Sequence, residues 1–279
     1  MDERQREFSF SHRDFDFLRK VANQRTGIVV TDEKFDMFYS RLSRRVRALG
    51  LQSFSEYCDL IKNEKSDKEV LELVNAITTN LTAFFRENHH FEYLASTLIP
   101  QLLKRNAASR RIRVWSSGCS TGEEPYSLAM TLKENVPAGW QIDLLATDID
   151  SNVLAKAASG IYALDRVTGI PSQRLRRWFV RGKGSKAGYV RLKPEIRQMI
   201  SFGQLNLMEN WSFDEMFDVI FCRNVIIYFD KVSKAGLVER YADNLTADGH
   251  LFIGHSESLF KLTERFSLIG HTIYRKTGG

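Results

Sequence analysis

The chain has 279 residues, 43 % of them hydrophobic and 27 % charged, with a formal net charge of +6. That composition marks an ordinary soluble globular protein, and the length suits one large domain plus a smaller one better than a single core. Three scattered cysteines, Cys58, Cys119 and Cys222, exclude a disulfide framework, and no apolar run approaches the ~20 residues of a membrane span. The start MDERQREF does not read as a cleavable signal, so a cytoplasmic location is expected.

The first quarter reads as helical. Ser11-His12-Arg13-Asp14 opens a helix with Phe15, Leu18 and Ala22 on one face, and Gly27 fits its C′ position. Phe35, Phe38, Leu42, Val46 and Leu49 keep helical spacing up to Gly50. Ser53-Phe54-Ser55-Glu56 and Ser66-Asp67-Lys68-Glu69 are capping boxes, each followed by apolar positions at 3–4 spacing. Four short helices thus make a domain over residues 1–72, with fourteen Lys/Arg against fourteen Asp/Glu. Within it Arg41, Arg44, Arg45 and Arg47 cluster on one helix, either as a solvated face or as a contact for an acidic partner helix. Residues 73–106 read as a linker: an apolar helix end, Asn80-Leu81-Thr82-Ala83-Phe84-Phe85-Arg86, then a helix through Leu103. His89 and His90 are adjacent, so on a helix they point about 100° apart and read as structural residues, not joint metal ligands.

From Arg111 strands and helices alternate. Arg113-Val114-Trp115 ends a buried strand, Ser116 to Gly122 form a small loop, and Glu123-Glu124-Pro125 open a helix, with proline and acids where the first turn favours them. A strand, glycine loop and helix start is the first unit of a doubly wound sheet, where nucleotide-like ligands bind. Two acids at that helix start repel a pyrophosphate and suit a ribose or a cation; S-adenosylmethionine (SAM) carries both. The next strand, Gln141 to Ala146, leads to Asp148 and Asp150. An acid there is the usual partner of ribose hydroxyls, a reading favoured for Asp148 over capping the following helix, and Asp150 can be the cap while Asp148 binds. Residues 172–202 hold nine basic residues against one acid, Glu195, with Gly182, Gly184 and Gly188; they read as a small antiparallel sheet inserted into the fold. Phe217 to Cys222 is a buried strand, Lys231 to Leu245 a helix, Leu251 to Gly254 a strand and Phe266 to Arg275 a last strand on an antiparallel edge. The expected fold is α/β, Rossmann-like, doubly wound and mostly parallel over residues 107–279, with an all-α N-terminal domain.

The motifs Asn80 to Arg86, Ser120 to Ser127, Thr147 to Asp150 and Phe221 to Asp230 together resemble those of the bacterial chemotaxis receptor glutamate methyltransferases, the CheR family, in order and over the whole chain. That resemblance implies transfer of the SAM methyl to glutamate carboxylates on the cytoplasmic parts of transmembrane chemoreceptors, with S-adenosylhomocysteine as product and no metal. It implies a cofactor site of Asn80, Thr82, Arg86, Glu124, Asp148, Asn206, Leu207, Arg223 and Asn224. In it Asp148 would face the ribose, Asn206 and Leu207 the adenine, and Glu124 the cationic end. A substrate glutamate is ionised at neutral pH and needs no general base, so Arg86 and Tyr228 are the candidates for aligning it. The arginines at 41, 44, 45 and 47 would meet the receptor's acidic methylation region. Gly182, Gly184, Gly188 and Arg191 would serve a receptor C-terminal peptide added to an open strand edge. A monomer is expected, without nucleic-acid or membrane contact.

Two rival functions remain. A pI near 9.2 suggests a nucleic-acid methyltransferase. Against it, Arg223-Asn224-Val225-Ile226 stands where amino-methylating enzymes carry an Asn/Asp-Pro-Pro-aromatic motif, Cys222 follows Phe221 and not proline, and no basic stripe interleaved with aromatics runs through the N-terminal domain. A binding module that keeps SAM only as a ligand is the other, opposed by the intact loop, acids and Arg223-Asn224.

Overall fold

The computed structural model describes residues 6–63 and 68–277. Four helices make the N-terminal unit: α1 (His12–Thr26), α2 (Phe35–Ala48), α3 (Phe54–Asn63) and α4 (Lys68–Ile77). The Ser11 hydroxyl accepts from the Asp14 N–H while Asp14 accepts from the Ser11 N–H, so the expected capping box starts α1. Gly27 ends α1 with φ +72°, and a Cβ there would stand 2.7 Å from Met208 Cγ, so one glycine both stops the helix and admits a neighbour. The Ser66-Asp67 half of the second expected box lies outside the described residues. Aromatic rings fill the centre: Phe10 stacks on Phe35 at 4.6 Å, and Phe15 meets Phe38 edge-on at 5.2 Å.

The linker continues through α5 (His89–Tyr93), a π-helical turn over Leu94–Leu98 and α6 (Ile99–Arg105). The large domain then runs β1 (Arg111–Ser117), α7 (Glu123–Asn135), β2 (Gln141–Asp148), α8 (Ser151–Ser159), β3 (Ile161–Ala163), α9 (Ser172–Trp178), β4 (Phe179–Arg181), β5 (Tyr189–Leu192), α10 (Pro194–Arg197), β6 (Ile200–Gln204), β7 (Phe217–Cys222), α11 (Lys231–Asp243), β8 (Leu245–Ile253), β9 (Phe266–Gly270) and β10 (Ile273–Lys276). Seven strands form one sheet in the order β6-β2-β1-β7-β8-β10-β9. Its first five strands pair in parallel, and β10 is antiparallel to both neighbours. The chain leaves β1 toward β2 on one side and resumes at β7 on the other, so the carboxyl ends of β1, β2 and β7 form the switch-point crevice.

Alternation decides what each face buries. Val114, Leu144, Val219 and Phe221 face α7, the π-helical turn and the small sheet. Trp115, Ile220 and Cys222 face α11, with Leu237 and Tyr241 against them.

Two expected boundaries move. The small sheet has the order β3-β5-β4 and begins at Ile161, while residues 200–202, expected to end the insert, belong to β6, the edge strand of the main sheet. Strand β3 has only three residues and takes its partner Arg191 about 30 residues away, too short a stretch for alternation to register. The final expected strand is a hairpin, β9 and β10. His271 and Thr272 at φ 48° and 61° supply the left-handed turn that suits strand twist. No helix among the described residues is long and apolar enough to cross a membrane.

The two domains meet along a polar seam. Ile28 bridges Phe229, and the Val29 N–H donates to the Tyr228 carbonyl at 2.8 Å. Asn206 Nδ2 donates to the Arg25 carbonyl at 2.6 Å, and Asn75 to Ser151 Oγ at 3.1 Å.

His90 and His250 are buried against the same sheet face: His90 meets the Phe252 ring edge-on at 5.4 Å, and His250 faces Tyr93. Burial, aided at His90 by the Arg223 charge, lowers both from the ordinary 6.5 to about 4. Both stay neutral in the folded protein, whereas the unfolded chain takes up their protons below pH 6.5. Their contribution is therefore present above pH 6.5 and lost as pH falls toward 4, at about 1.4 kcal/mol per pH unit for each. Urea unfolding at pH 7, 6 and 5 is expected to show His250→Gln losing stability on acidification more slowly than the parent by that slope. Parallel curves would mean that His250 is protonated in the fold.

Candidate active site

The loop after β1 is pinned before it reaches the helix. Gly118 and Cys119 N–H groups both donate to the Thr147 carbonyl at 2.8 Å, and the Ser120 N–H donates to Asp148 Oδ2 at 2.7 Å. Glycine is required at Gly118 (φ +103°), where a Cβ would lie 2.5 Å from Val225 Cγ2. The doubled acids that open α7 point to different tasks. Glu123 is fully buried, accepts from Thr121 Oγ1 and pairs with Arg166 at 2.6 Å, which fastens the stretch after β3 to the loop. Glu124 accepts from Ser116 Oγ at 2.8 Å and Arg223 Nη1 at 3.0 Å.

Arg223 follows β7 and keeps 2 % of its side chain exposed. Its other amino group lies 3.2 Å from Glu87 and donates to the Arg86 carbonyl. Asn224, next in the chain, is left-handed at φ 58°. That turn is held by Glu257, whose buried carboxylate accepts from the N–H groups of Asn224 (2.8 Å), Val225 (3.0 Å), Ile227 (3.2 Å) and Gly254. Glu257 was not foreseen. Its only signal in the sequence is an isolated acid three residues beyond an apolar strand.

Asp150 caps α8 with one oxygen, accepting from the Asn152 and Val153 N–H groups. The other oxygen accepts from Thr78 Oγ1 and Asn80 Nδ2, both at 2.9 Å, and so ties the linker to β2. Asp148 accepts from the Asp150 N–H at 3.0 Å as well as from Ser120, so Asp148 is not the helix cap.

Asn80, Thr82, Arg86, Glu124, Asp148, Asn206, Leu207, Arg223, Asn224 and Tyr228 all line one cavity of ≈ 1080 Å³ including its open mouth. That is the size class of small-ligand sites. Ile149, Leu205 and Leu207 give it an apolar wall, and Thr26 and Ile28 of the helical domain complete the rim. Burial raises the pKa of both Asp148 and Glu124, opposed at Asp148 by the N–H donors of Asp150 and Ser120 and at Glu124 by the Arg223 charge. The donor set suits a ligand with sugar hydroxyls, a flat apolar ring and a cationic end, and it opposes a phosphate.

Two family models cover the chain. One, described as the CheR methyltransferase all-alpha domain, matches residues 13–78. The other, the CheR methyltransferase SAM-binding domain, matches residues 80–275. The chain belongs to the CheR methyltransferase family. A Salmonella typhimurium relative named chemotaxis protein methyltransferase is 45 % identical over 91 % of this chain and 87 % of its own length. The Escherichia coli protein of the same name is 43 % identical over 92 % and 88 %. A Pseudomonas aeruginosa relative, chemotaxis protein methyltransferase 2, is 43 % identical over 96 % and 94 %. The protein is thus a SAM-dependent methyltransferase, and the cavity at the β1, β2 and β7 ends fits that cofactor.

Not every expected site residue joins the cavity of this CheR protein. The arginine cluster on α2 is largely engaged within its own domain. Arg41 donates to the Ile77 and Thr78 carbonyls at 2.8 and 2.6 Å, closing the end of α4. Arg45 grips the buried Glu69 through two bonds of 2.7 and 2.5 Å, and Arg47 pairs with Glu7. Arg44 is exposed. Three of the four arginines therefore have partners within their own domain, while Arg47 still keeps 55 % of its side chain exposed. In the insert, Gly182 is required, since a Cβ would stand 2.0 Å from the Lys186 carbonyl oxygen, and Gly184 is left-handed at φ +57°. Gly188 meets no such constraint, and the exposed Arg191 donates to the Ser159 carbonyl at 3.3 Å.

His89 and His90 come closer than their helical angle implies: their ligand atoms and those of Glu87 lie within 4.8 Å of one another. Glu87 is already bound by Arg223 and by His255 Nδ1 at 2.7 Å, and His90 Nε2 donates to the His271 carbonyl at 2.9 Å. A dication there would face the Arg223 charge.

Asp148→Ala is expected to weaken S-adenosylhomocysteine binding by about tenfold or more in calorimetry, because a hydrogen bond to a charged acceptor is worth about 1.5–3 kcal/mol. Unchanged affinity would remove Asp148 from the ribose site.

Proposed function

We propose that this CheR-family enzyme methylates glutamate side chains on the cytoplasmic helices of chemoreceptors, forming methyl esters. Its relatives' names place them in chemotaxis, and the chemistry of the cavity narrows the acceptor. The observation that carries the reading is the lining itself: among the described residues it contains no histidine, lysine or cysteine. An amine or hydroxyl acceptor needs a group to take its proton, and the two acids present are held by Arg223 and by backbone N–H groups. A glutamate carboxylate is ionised at neutral pH and arrives as a nucleophile.

When bound, SAM supplies an electrophilic methyl on a sulfonium. The protein's part is alignment and exclusion of water. Arg86 lines the cavity with its guanidinium braced on the Leu81 carbonyl at 2.8 Å, placed to receive a carboxylate. Tyr228 lines the same cavity, its backbone carbonyl held by the Val29 N–H, and offers a phenol there. Asp148 suits the ribose, Leu205 and Leu207 the adenine, and Glu124 the cationic end. Asn80 and Thr82 line the cavity from the linker, and Asn206 and Asn224 from the sheet ends. Alignment without a proton transfer is a positioning effect, which acts on turnover.

Strand β4 is an edge of the small sheet, with Val180 exposed, and basic side chains surround it. We assign it to a receptor C-terminal peptide, which would raise the local concentration of substrate glutamates. The enzyme then works as a cytoplasmic monomer whose partners are the receptors.

Methyl transfer from tritiated SAM to a purified receptor cytoplasmic fragment is expected, with label released by mild base, as an ester requires. Base-stable label would overturn the glutamate assignment. Arg86→Ala is expected to lower that rate by about 10²-fold with little change in thermal unfolding. Global unfolding of that variant would make Arg86 a structural residue. Titration with receptor C-terminal peptides is expected to show binding weakened by Arg191→Glu; equal binding by both proteins would clear Arg191 of any part in it.

A further inference from the structure

We propose that Glu87 is a positioning residue for methyl transfer, acting through Arg223 on the backbone that carries Arg86. The inference rests on the role given to Arg86 above. Glu87 does not line the cavity, and its side chain is 10 % exposed. Phe85 and Glu87 are both left-handed, at φ 53° and 54°, on either side of Arg86. The chain therefore turns sharply there, and Arg86 lines the cavity while Glu87 faces Arg223. Residues other than glycine rarely adopt that conformation, and two in three positions need strong external restraint.

The restraints are visible. Phe85 N–H donates to Ser127 Oγ at 2.9 Å, which fixes the segment to α7 from one side. Arg223 fixes it from the other. One amino group donates to Glu124 at 3.0 Å, and the second reaches both the Arg86 carbonyl and Glu87 at 3.2 Å. A guanidinium is planar and donates in fixed directions, so Glu124 at one end of the fork and Glu87 at the other fix the amino group that donates to the Arg86 carbonyl. Glu87 is one of those ends. It is itself oriented by His255, whose Nδ1 donates to Glu87 Oε1 at 2.7 Å. His90 cannot substitute: its Nε2 hydrogen is spent on the His271 carbonyl, leaving a buried Nδ1 lone pair 3.7 Å from Glu87 Oε2. Without the Glu87 charge, Arg223 keeps Glu124 as its one carboxylate, and the amino group that donates to the Arg86 carbonyl loses its charged partner.

A double-mutant cycle separates positioning from bulk stability. Glu87→Gln, Arg86→Ala and the double variant are assayed for methyl transfer to a receptor fragment, alongside S-adenosylhomocysteine affinity and thermal unfolding. His255→Ala, altered from the exposed side, serves as a second route should Glu87→Gln not fold. The expected result is kcat lowered about tenfold by Glu87→Gln and less by His255→Ala, with receptor KM and product affinity within about twofold of the parent. In the Arg86→Ala background the Glu87 change should add nothing. Multiplying effects in the double variant, or parental kcat in both Glu87→Gln and His255→Ala, would overturn the proposal. Parental kcat in Arg86→Ala alone would remove the Arg86 reading, and this one with it.

Discussion

A guanidinium with 2 % of its side chain exposed cannot be left unpaired in a protein interior, and Arg223 organises the site around that constraint. It sits at the end of β7 and requires carboxylates from two other parts of the chain, Glu124 on α7 and Glu87 on the linker. Through these two pairs the strand end, the first helix of the sheet and the interdomain linker are joined at one side chain. The same buried group gives the cavity its electrical character. Arg223 and Arg86 face the cavity together with Glu124 and Asp148, so the lining offers acids for a cationic end and a guanidinium for an anionic group.

A second acid performs the equivalent task for the seam between domains. Asp150 satisfies the orphan N–H groups of α8 with one oxygen and holds Thr78 and Asn80 with the other. Glu257 does it for the turn after β7, where four backbone donors converge on one carboxylate. The loops around the cavity are thus fixed by buried charge and directed hydrogen bonds, while apolar packing fixes the sheet beneath them. Loops placed this way hold side chains in position without needing bulk of their own.

Much of this was legible in the residues because local rules and the global fold agree. The capping box at Ser11, the αL stop at Gly27 and the alternation of strands and helices after Arg111 each have a short-range cause. The acids at Glu124 and Asp148 were readable because their positions relative to a strand and a loop carry meaning. What escaped was non-local. Strand β3 is defined by a partner about 30 residues away, β6 is a short edge strand, and the hairpin turn at His271-Thr272 contains no glycine at either left-handed position. The arginines of α2 show the same limit: a sequence displays charge but not the acid across the fold that pairs with it, as Glu69 does for Arg45. Glu257 was invisible because its role lies in which backbone groups it holds, and Glu87, next to Arg86 in the sequence, pairs instead with the distant Arg223.

The cavity rim draws Thr26 and Ile28 from the helical domain, residues 77–83 from the linker and the remainder from the sheet ends. A ligand seated there touches both bodies at once, so its binding free energy is also cohesion between them. By mass action a site at 100 times its dissociation constant adds about 2.7 kcal/mol to whatever state keeps the pocket whole. Any motion that parts the helical domain from the sheet must first release the ligand. Bound cofactor would thereby add to the seam contacts that already join the two domains, such as Val29 to Tyr228 and Asn206 to Arg25.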